Sequence, residues 1–270
     1  MQYTRIGKSD LAASRLALDC RTLGLVQHDR GWDPGSYDGK VFATRTLHAA
    51  LDAGINLFDS SPDADGGRGE ALIGQALAGR QESALLTTRL GRTGKEAAPE
   101  SRILATLRRL RADHLDIVYV DDRCGQWLSM LAPLARLRER GVVRFLGLEI
   151  SNPDHAARLI ATDLFDVALF DGNIVRRAET TLRISEAISR GMGVGISNPG
   201  AANPLPRMSN RMPDDIFDGS RNHEALLKKL LTKNRFDFVS LDMHWEHEIA
   251  TSSRMVADTE PAVIPLAMTH

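Results

Sequence analysis

At 270 residues, with 43% hydrophobic and 26% charged residues, the chain has room for one large α/β barrel or two small domains and the composition of an ordinary globular protein. A net charge of −1 with no basic tail argues against a nucleic-acid partner, and the lack of a run of about 18 apolar residues argues against a membrane span. The opening Met1-Gln2-Tyr3-Thr4-Arg5 lacks the pattern of a secretory signal, and Cys20 and Cys124 make no disulfide framework, so the expected address is the cytoplasm.

Residues 1–15 read as a β-hairpin turning at Gly7-Lys8-Ser9-Asp10. A strand from Arg15 to Asp19 follows, then a loop over residues 25–40, then a helix near 41–53 with Phe42, Leu47 and Leu51 close to one face and Gly54 at its stop. The next strand ends at Asp59. Gly66-Gly67-Arg68-Gly69-Glu70 leads into a short helix, and Ala84 to Leu90 is a strand with Arg89 near its end. Pro99 opens a helix over 98–112 striped by Ile103, Leu104, Leu107 and Leu110. The strand Leu115–Asp121 comes next, then a helix marked by Leu128, Leu131, Leu134 and Leu137, then the strand Val142–Glu149. Helices at 154–161, 179–190 and 223–233 lead to strands at Phe165–Asp171, Gly193–Ser197 and Phe236–Asp242.

Counted from Arg15, strand and helix alternate through eight strands, which predicts an α/β fold: a (β/α)8 barrel with an N-terminal hairpin, one domain over residues 1–270. Two segments compete for the eighth strand. Ala262–Leu266 is apolar, but 236–242 follows its helix at once. It also repeats a pattern of the strands ending at Asp121 and Asp171, an Asp and then another five positions later.

The stretch from Ala53 to Gly91 resembles the aldo-keto reductases. Phe58-Asp59-Ser60-Ser61 stands where they carry Phe-Asp-Thr-Ala, Gly69-Glu70 where Ser-Glu opens a helix, and Thr88-Arg89 where a strand ends Thr-Lys. The likeness runs over about residues 1–205. It implies a barrel closed below by the hairpin, with an Asp, Tyr, Lys and His tetrad at the mouth and NAD(P)H as hydride donor. Carried over, the Asp is Asp59, the Tyr falls on Ala64, the Lys on Arg89 and the His on Asp121. The family's Gly-Thr of strand one falls on Asp19-Cys20 and its Ser-Asn pair on Glu149 and Ile150. The Gln that binds the carboxamide falls on Leu169, and the Tyr that stacks on the nicotinamide on Ser197. Ser252-Ser253-Arg254 is the candidate for the 2′-phosphate site after the last strand.

With the tetrad broken, the expectation is a pseudoenzyme. It would be a redox-silent protein that binds a small polar metabolite, or acts on it without a cofactor. Arg89 cannot act as the Lys does, because guanidinium stays protonated. Asp59, Arg89 and Asp121 are expected to neutralise one another in the pocket, with Asp59 the partner of Arg89, and the other strand-end acids to be solvated at the rim. Asp63 and Asp65 lie close enough in sequence to reach the pocket. An oxidoreductase holding NADPH in a shifted register is one alternative. A lyase or isomerase holding Mg²⁺ or Mn²⁺ on Asp121, Glu149 and Asp171 is another, since oxygen ligands suit those ions. His244-Trp245-Glu246-His247 reads as a surface turn, Cys20 and Cys124 as inert, His48, His114 and His155 as surface residues, and residues 198–222 as a long loop.

Overall fold

The computed structural model describes residues 1–28, 31–63, 65–91, 98–124, 127–172, 178–197, 227, 230–231 and 236–258. β1 (Tyr3–Arg5) and β2 (Ala12–Ser14) pair antiparallel as the hairpin. Eight parallel strands then close on themselves: β3 (Leu16–Asp19), β4 (Leu57–Ser60), β5 (Leu85–Leu90), β6 (Leu115–Asp121), β7 (Val143–Ile150), β8 (Val167–Asp171), β9 (Gly193–Ser197) and β10 (Phe238–Asp242). β10 pairs with both β9 and β3, in register Val239↔Leu16 and Asp242↔Asp19. That makes 236–242 the eighth barrel strand. Ala262–Leu266 lies outside the described residues. The fold is the (β/α)8 barrel.

Among the described residues, six helices lie between the strands: α1 (Tyr37–Asp52), α2 (Arg68–Ala76), α3 (Pro99–Leu110), α4 (Trp127–Glu139), α5 (Pro153–Ile160) and α6 (Ala178–Ser189). α7 (Glu246–Ala257) follows β10. Of the helix expected at 223–233, the described residues Leu227, Leu230 and Leu231 are buried. α3 shows why the stripes fold as they do. Pro99 starts it, and Ile103, Leu107 and Leu110 are buried. Arg108 and Arg109 sit in the last turn, where positive charge suits the helix dipole. α1 starts earlier than its apolar pattern suggests, because Ser36 accepts a hydrogen bond from the Gly39 N–H (2.9 Å) and caps it there. No described helix is long and apolar enough to cross a membrane.

Side chains alternate between the two faces of each strand, so one set points inward. Ala17, Leu57, Ile117, Tyr119, Val167, Leu169 and Phe238 pack inside with Ile6, Leu11 and Ala13 of the hairpin, which closes the barrel floor. Two glycines make room for the rings. A Cβ on Gly147 would stand 2.2 Å from the Tyr119 ring, and one on Gly195 2.3 Å from the Phe238 ring. The paired aspartates also gain a reason. The first of each pair accepts the backbone N–H of a residue on the preceding strand: Asp116 from Leu86 (2.7 Å), Asp166 from Leu146 (2.9 Å) and Asp237 from Val194 (2.9 Å). Five residues on, an odd number, the second lies on the opposite, inward face at the carboxyl end. One aspartate ties the strands at the floor while its partner faces the mouth.

Candidate functional site at the barrel mouth

The same alternation puts Asp19, Asp59, Arg89, Asp121, Glu149, Asp171, Ser197 and Asp242 at the top of the inward faces of β3 to β10. Arg89 lies deepest among the charges and is almost fully buried. Its Nε donates to Asp59 Oδ1 (3.2 Å) and its Nη2 to Asp59 Oδ2, while Nη1 donates to Glu149 Oε1. Thr87 Oγ1 also donates to Asp59 Oδ1 (3.1 Å). Burial works against the Arg89 charge, but Asp59 and Glu149 outweigh it and push the guanidinium's pKa well up. The expected Asp59 partner is in place.

Asp121 is not part of that group, contrary to expectation. Arg89 is level with Tyr119 in the β5–β6 register, and Asp121 with Glu149 in the β6–β7 register. Both acids therefore stand above Arg89, and the longer glutamate is the one it meets. Asp121 is gripped by Arg123 instead, which donates from its backbone N (2.8 Å), Nε (2.9 Å) and Nη2 (2.6 Å). Asp19 is held the same way by Arg21, through the backbone N (3.0 Å), Nε (3.0 Å) and Nη2 (2.6 Å). Asp19 is buried and not a solvated rim acid. Arg21 extends towards Glu149, its Nη1 4.0 Å from Oε1. Arg21 and Arg123 were missed in reading the sequence. The available signal was the repeated Asp-x-Arg at two strand ends, Asp19-Cys20-Arg21 and Asp121-Asp122-Arg123.

Other candidates fall elsewhere. Asp65 accepts from the Gly67 and Gly69 N–H groups at the start of α2 (2.7 and 2.8 Å), and Asp63 accepts from Arg102 (2.7 Å) and Gly91 N (3.0 Å). Ala64 lies outside the described residues, as does the loop at 198–222. Tyr119 is buried below the charges, and burial with Asp59 beside it pushes its phenol well above the usual range. Cys20 and Cys124 are buried, and burial and three nearby aspartates push the Cys20 thiol up. His244 is not on a surface turn. It is buried, with Nε2 2.8 Å from the Gln27 amide, Nδ1 3.2 Å from Asp242 and its ring edge-on to Trp32 at 4.7 Å. Trp32, in the loop expected at residues 25–40, packs edge-on to both His244 and Trp245 and draws that turn inside.

The three acids of the metal alternative do not form a ligand set. Glu149 is level with Leu169, so Asp171 stands a further pair of residues up its strand. Both oxygens of Asp121 are forked by Arg123, and Oε1 of Glu149 is held by Arg89. Among the described residues no three His, Cys, Asp or Glu side chains are grouped to hold a metal ion.

Asp19 sets a testable pH dependence. Burial alone would push its carboxyl up, but Arg21 and then Arg89 override this and hold it at about 2. A depressed folded pKa stabilises above the unfolded value, and the benefit is lost as pH falls through the folded one. The contribution is about 2 kcal/mol near neutral pH. Urea unfolding between pH 5 and 2 (roughly, the window between unfolded and folded values) should show a steep loss that Asp19→Asn flattens. Equal slopes for the two proteins would remove Asp19 as its source.

The profile of the Aldo/keto reductase family matches residues 22–173, more than half of the sequence. The chain belongs to the aldo/keto reductase family. It is 23% identical over 207 residues to the uncharacterized oxidoreductase YqkF of Bacillus subtilis (strain 168), covering 69% of this chain and 61% of that protein. It is 28% identical over 166 residues to the aldo-keto reductase YhdN of the same organism, covering 55% and 46%. It thus spans less than two thirds of either relative. Its fold is similar to that of an aldo-keto reductase from Bacillus halodurans in its holo form, with a TM-score of 0.74, 20% identity, and coverage of 97% and 92%.

NAD(P)H is the cofactor usual in the aldo/keto reductase family, and the residues here can be tested against it. Leu169 and Ile150 are fully buried and apolar, so neither can hydrogen-bond a carboxamide. Ser197 is buried and has no ring to stack. Glu149 directs one oxygen to Arg89. Ser252-Ser253-Arg254 lies well inside α7 and not at the strand end, and Ser252 is buried. At the start of α7, where a phosphate would be favoured, Glu248 Oε2 already accepts from the backbone N of His244 (2.7 Å) and Trp245 (3.1 Å). These residues do not fit a dinucleotide held in the family's manner.

Proposed function

We propose that this aldo/keto reductase family member no longer reduces carbonyls with NAD(P)H, and that its mouth binds a small polar metabolite or acts on it without a cofactor. One observation carries the reading: the tetrad lysine position holds Arg89, whose guanidinium is locked between Asp59 and Glu149. A guanidinium so placed cannot release a proton. Asp121, forked by Arg123, cannot stand in for a neutral imidazole, and Tyr119 is too deep and too weakly acidic to be a proton donor. What the mouth offers is fixed donors and one carboxylate edge, which suits binding and orientation. The relatives described as oxidoreductases favour a second reading, an oxidoreductase with NADPH in a shifted register.

Calorimetric titration of NADPH and NADP⁺ separates the two. Neither is expected to bind at micromolar concentration, because Ile150 and Leu169 offer the carboxamide no polar side chain and Ser197 offers the nicotinamide no ring to stack on. Repulsion of the anionic cofactor contributes less than the run of six strand-end acids suggests, since Arg21, Arg89 and Arg123 offset half of those charges. Micromolar NADPH binding with turnover of an aldehyde would establish the second reading instead.

A further inference from the structure

We infer that the mouth is a receptor for a small zwitterion of the amino-acid type, its ammonium on Glu149 Oε2 and its carboxylate on the outer edges of Arg21 and Arg123. The inference rests on the reading of the mouth as a metabolite site and names the ligand class.

Charge decides the ammonium. The group joined through Arg21, Arg89 and Arg123 holds Asp19, Asp59, Asp121 and Glu149, four negative charges against three positive ones, and Asp171 and Asp242 at the same mouth add to the negative side. Asp19 and Asp121 each have their own arginine, so the surplus falls on the chain Asp59–Arg89–Glu149, where one guanidinium serves two carboxylates. Asp59 takes two of the Arg89 nitrogens and Glu149 one. The surplus therefore sits on Glu149, whose side chain is only 9% exposed. Its Oε2 makes no hydrogen bond among the described residues. Burial pushes this carboxyl up in spite of Arg89 and Arg21, as expected of a charge that is only partly offset. A buried, under-compensated carboxylate with an open oxygen favours a cation.

The arginine edges decide the rest. Arg21 and Arg123 each spend Nε and Nη2 on an aspartate, which leaves Nη1 with two N–H groups unbonded among the described residues. Both side chains reach solvent, 26% and 54% exposed. Arg21 Nη1 lies 4.0 Å from Glu149 Oε1, and Arg123 is fixed on Asp121, the residue level with Glu149 on the adjoining strand, so the two arginines flank Glu149. The aspartate forks hold the guanidiniums in place before any ligand arrives, so less side-chain freedom is lost on binding. A lone anion would meet the surplus negative charge, and a lone amine would leave the arginine edges unused. A zwitterion satisfies both and brings no net charge.

Calorimetry on the whole protein tests this with glycine, L-alanine and L-serine as probes, and with ethanolamine and glycolate as half-ligands. At least one amino acid should bind at least tenfold more tightly than either half-ligand. Glu149→Gln should weaken amino acid and ethanolamine alike by tenfold or more. Arg123→Gln, a change at a half-exposed side chain, should weaken the amino acid and leave ethanolamine unchanged. Glu149→Asp keeps the charge and guards against misfolding in Glu149→Gln, and it should recover part of the affinity. Preference for glycolate, affinity unchanged in both variants, or no binding by any of these probes overturns the inference. NADPH titrated into the same samples keeps the two ideas apart. Dinucleotide binding would defeat the metabolite-site reading, whereas failure of the amino acids alone would defeat only the ligand class.

Discussion

Replacing Arg89 by methionine is expected to destabilise the protein by about 3–5 kcal/mol, the range for removing one partner of a buried ion pair. Methionine fills much of the volume, so the loss comes from the two carboxylates left facing each other above Tyr119. Asp59→Asn combined with Arg89→Met should recover only part of it, because Glu149 would remain unpaired. Adding Glu149→Gln should recover most of it. The deficit should also depend on pH. Without the arginine, burial favours protonation of Glu149 in the folded state. Its penalty is then full above the folded titration range and disappears as pH falls below the unfolded carboxylate range. The difference between Arg89→Met and the parent in urea unfolding should therefore shrink from pH 7 towards pH 4, roughly the carboxylate range. A single variant as stable as the parent, or a triple variant no better than the single, would show that Arg89 is not held as a buried charge.

The barrel was legible because its signals are local. Apolar runs of strand length, helical stripes and the recurring pair of aspartates lie within a few residues of one another, and that pair identified the strand that joins β9 to β3. The strand-end acids were legible for the same reason. Their partners were not. Whether Arg89 meets Asp121 or Glu149 depends on register and on one methylene of reach, neither of which is written in the order of residues. His244 was misread because Glu246 and His247 just after it suggest a solvated turn, while the ring that covers it belongs to Trp32, far away in the chain. The forks of Arg21 and Arg123 lie between these cases. The Asp-x-Arg spacing was visible, but its meaning needs the chain to turn directly after each strand, so that the arginine backbone and side chain face the same carboxylate.

Glu70 tests how the frame beneath the mouth is held. The sequence places it at the start of a helix, where a carboxylate suits the helix dipole. The structure buries it completely. Its Oε1 accepts from Thr88 Oγ1 on β5 (3.1 Å) and Thr106 Oγ1 on α3 (3.0 Å), and its Oε2 from Arg109 Nε (2.6 Å). One side chain thus ties α2 to α3 and to the strand that carries Arg89. Burial pushes its carboxyl up despite these donors, so the ionised form is carried at a cost. Glu70→Ala should therefore destabilise by about 3 kcal/mol, through a cavity and two threonine hydroxyls left without their acceptor. Glu70→Gln should lose only about 1 kcal/mol, because the amide oxygen can still accept from both threonines and the partly exposed Arg109 can turn to water. A raised folded pKa means that the parent gains stability as pH falls through that value towards the unfolded one, while an amide does not titrate. The deficit of Glu70→Gln against the parent in urea unfolding should therefore grow from pH 7 towards pH 4, roughly the carboxylate range. Equal losses for alanine and glutamine would mean that the Arg109 ion pair, not the threonine bridge, is what Glu70 contributes.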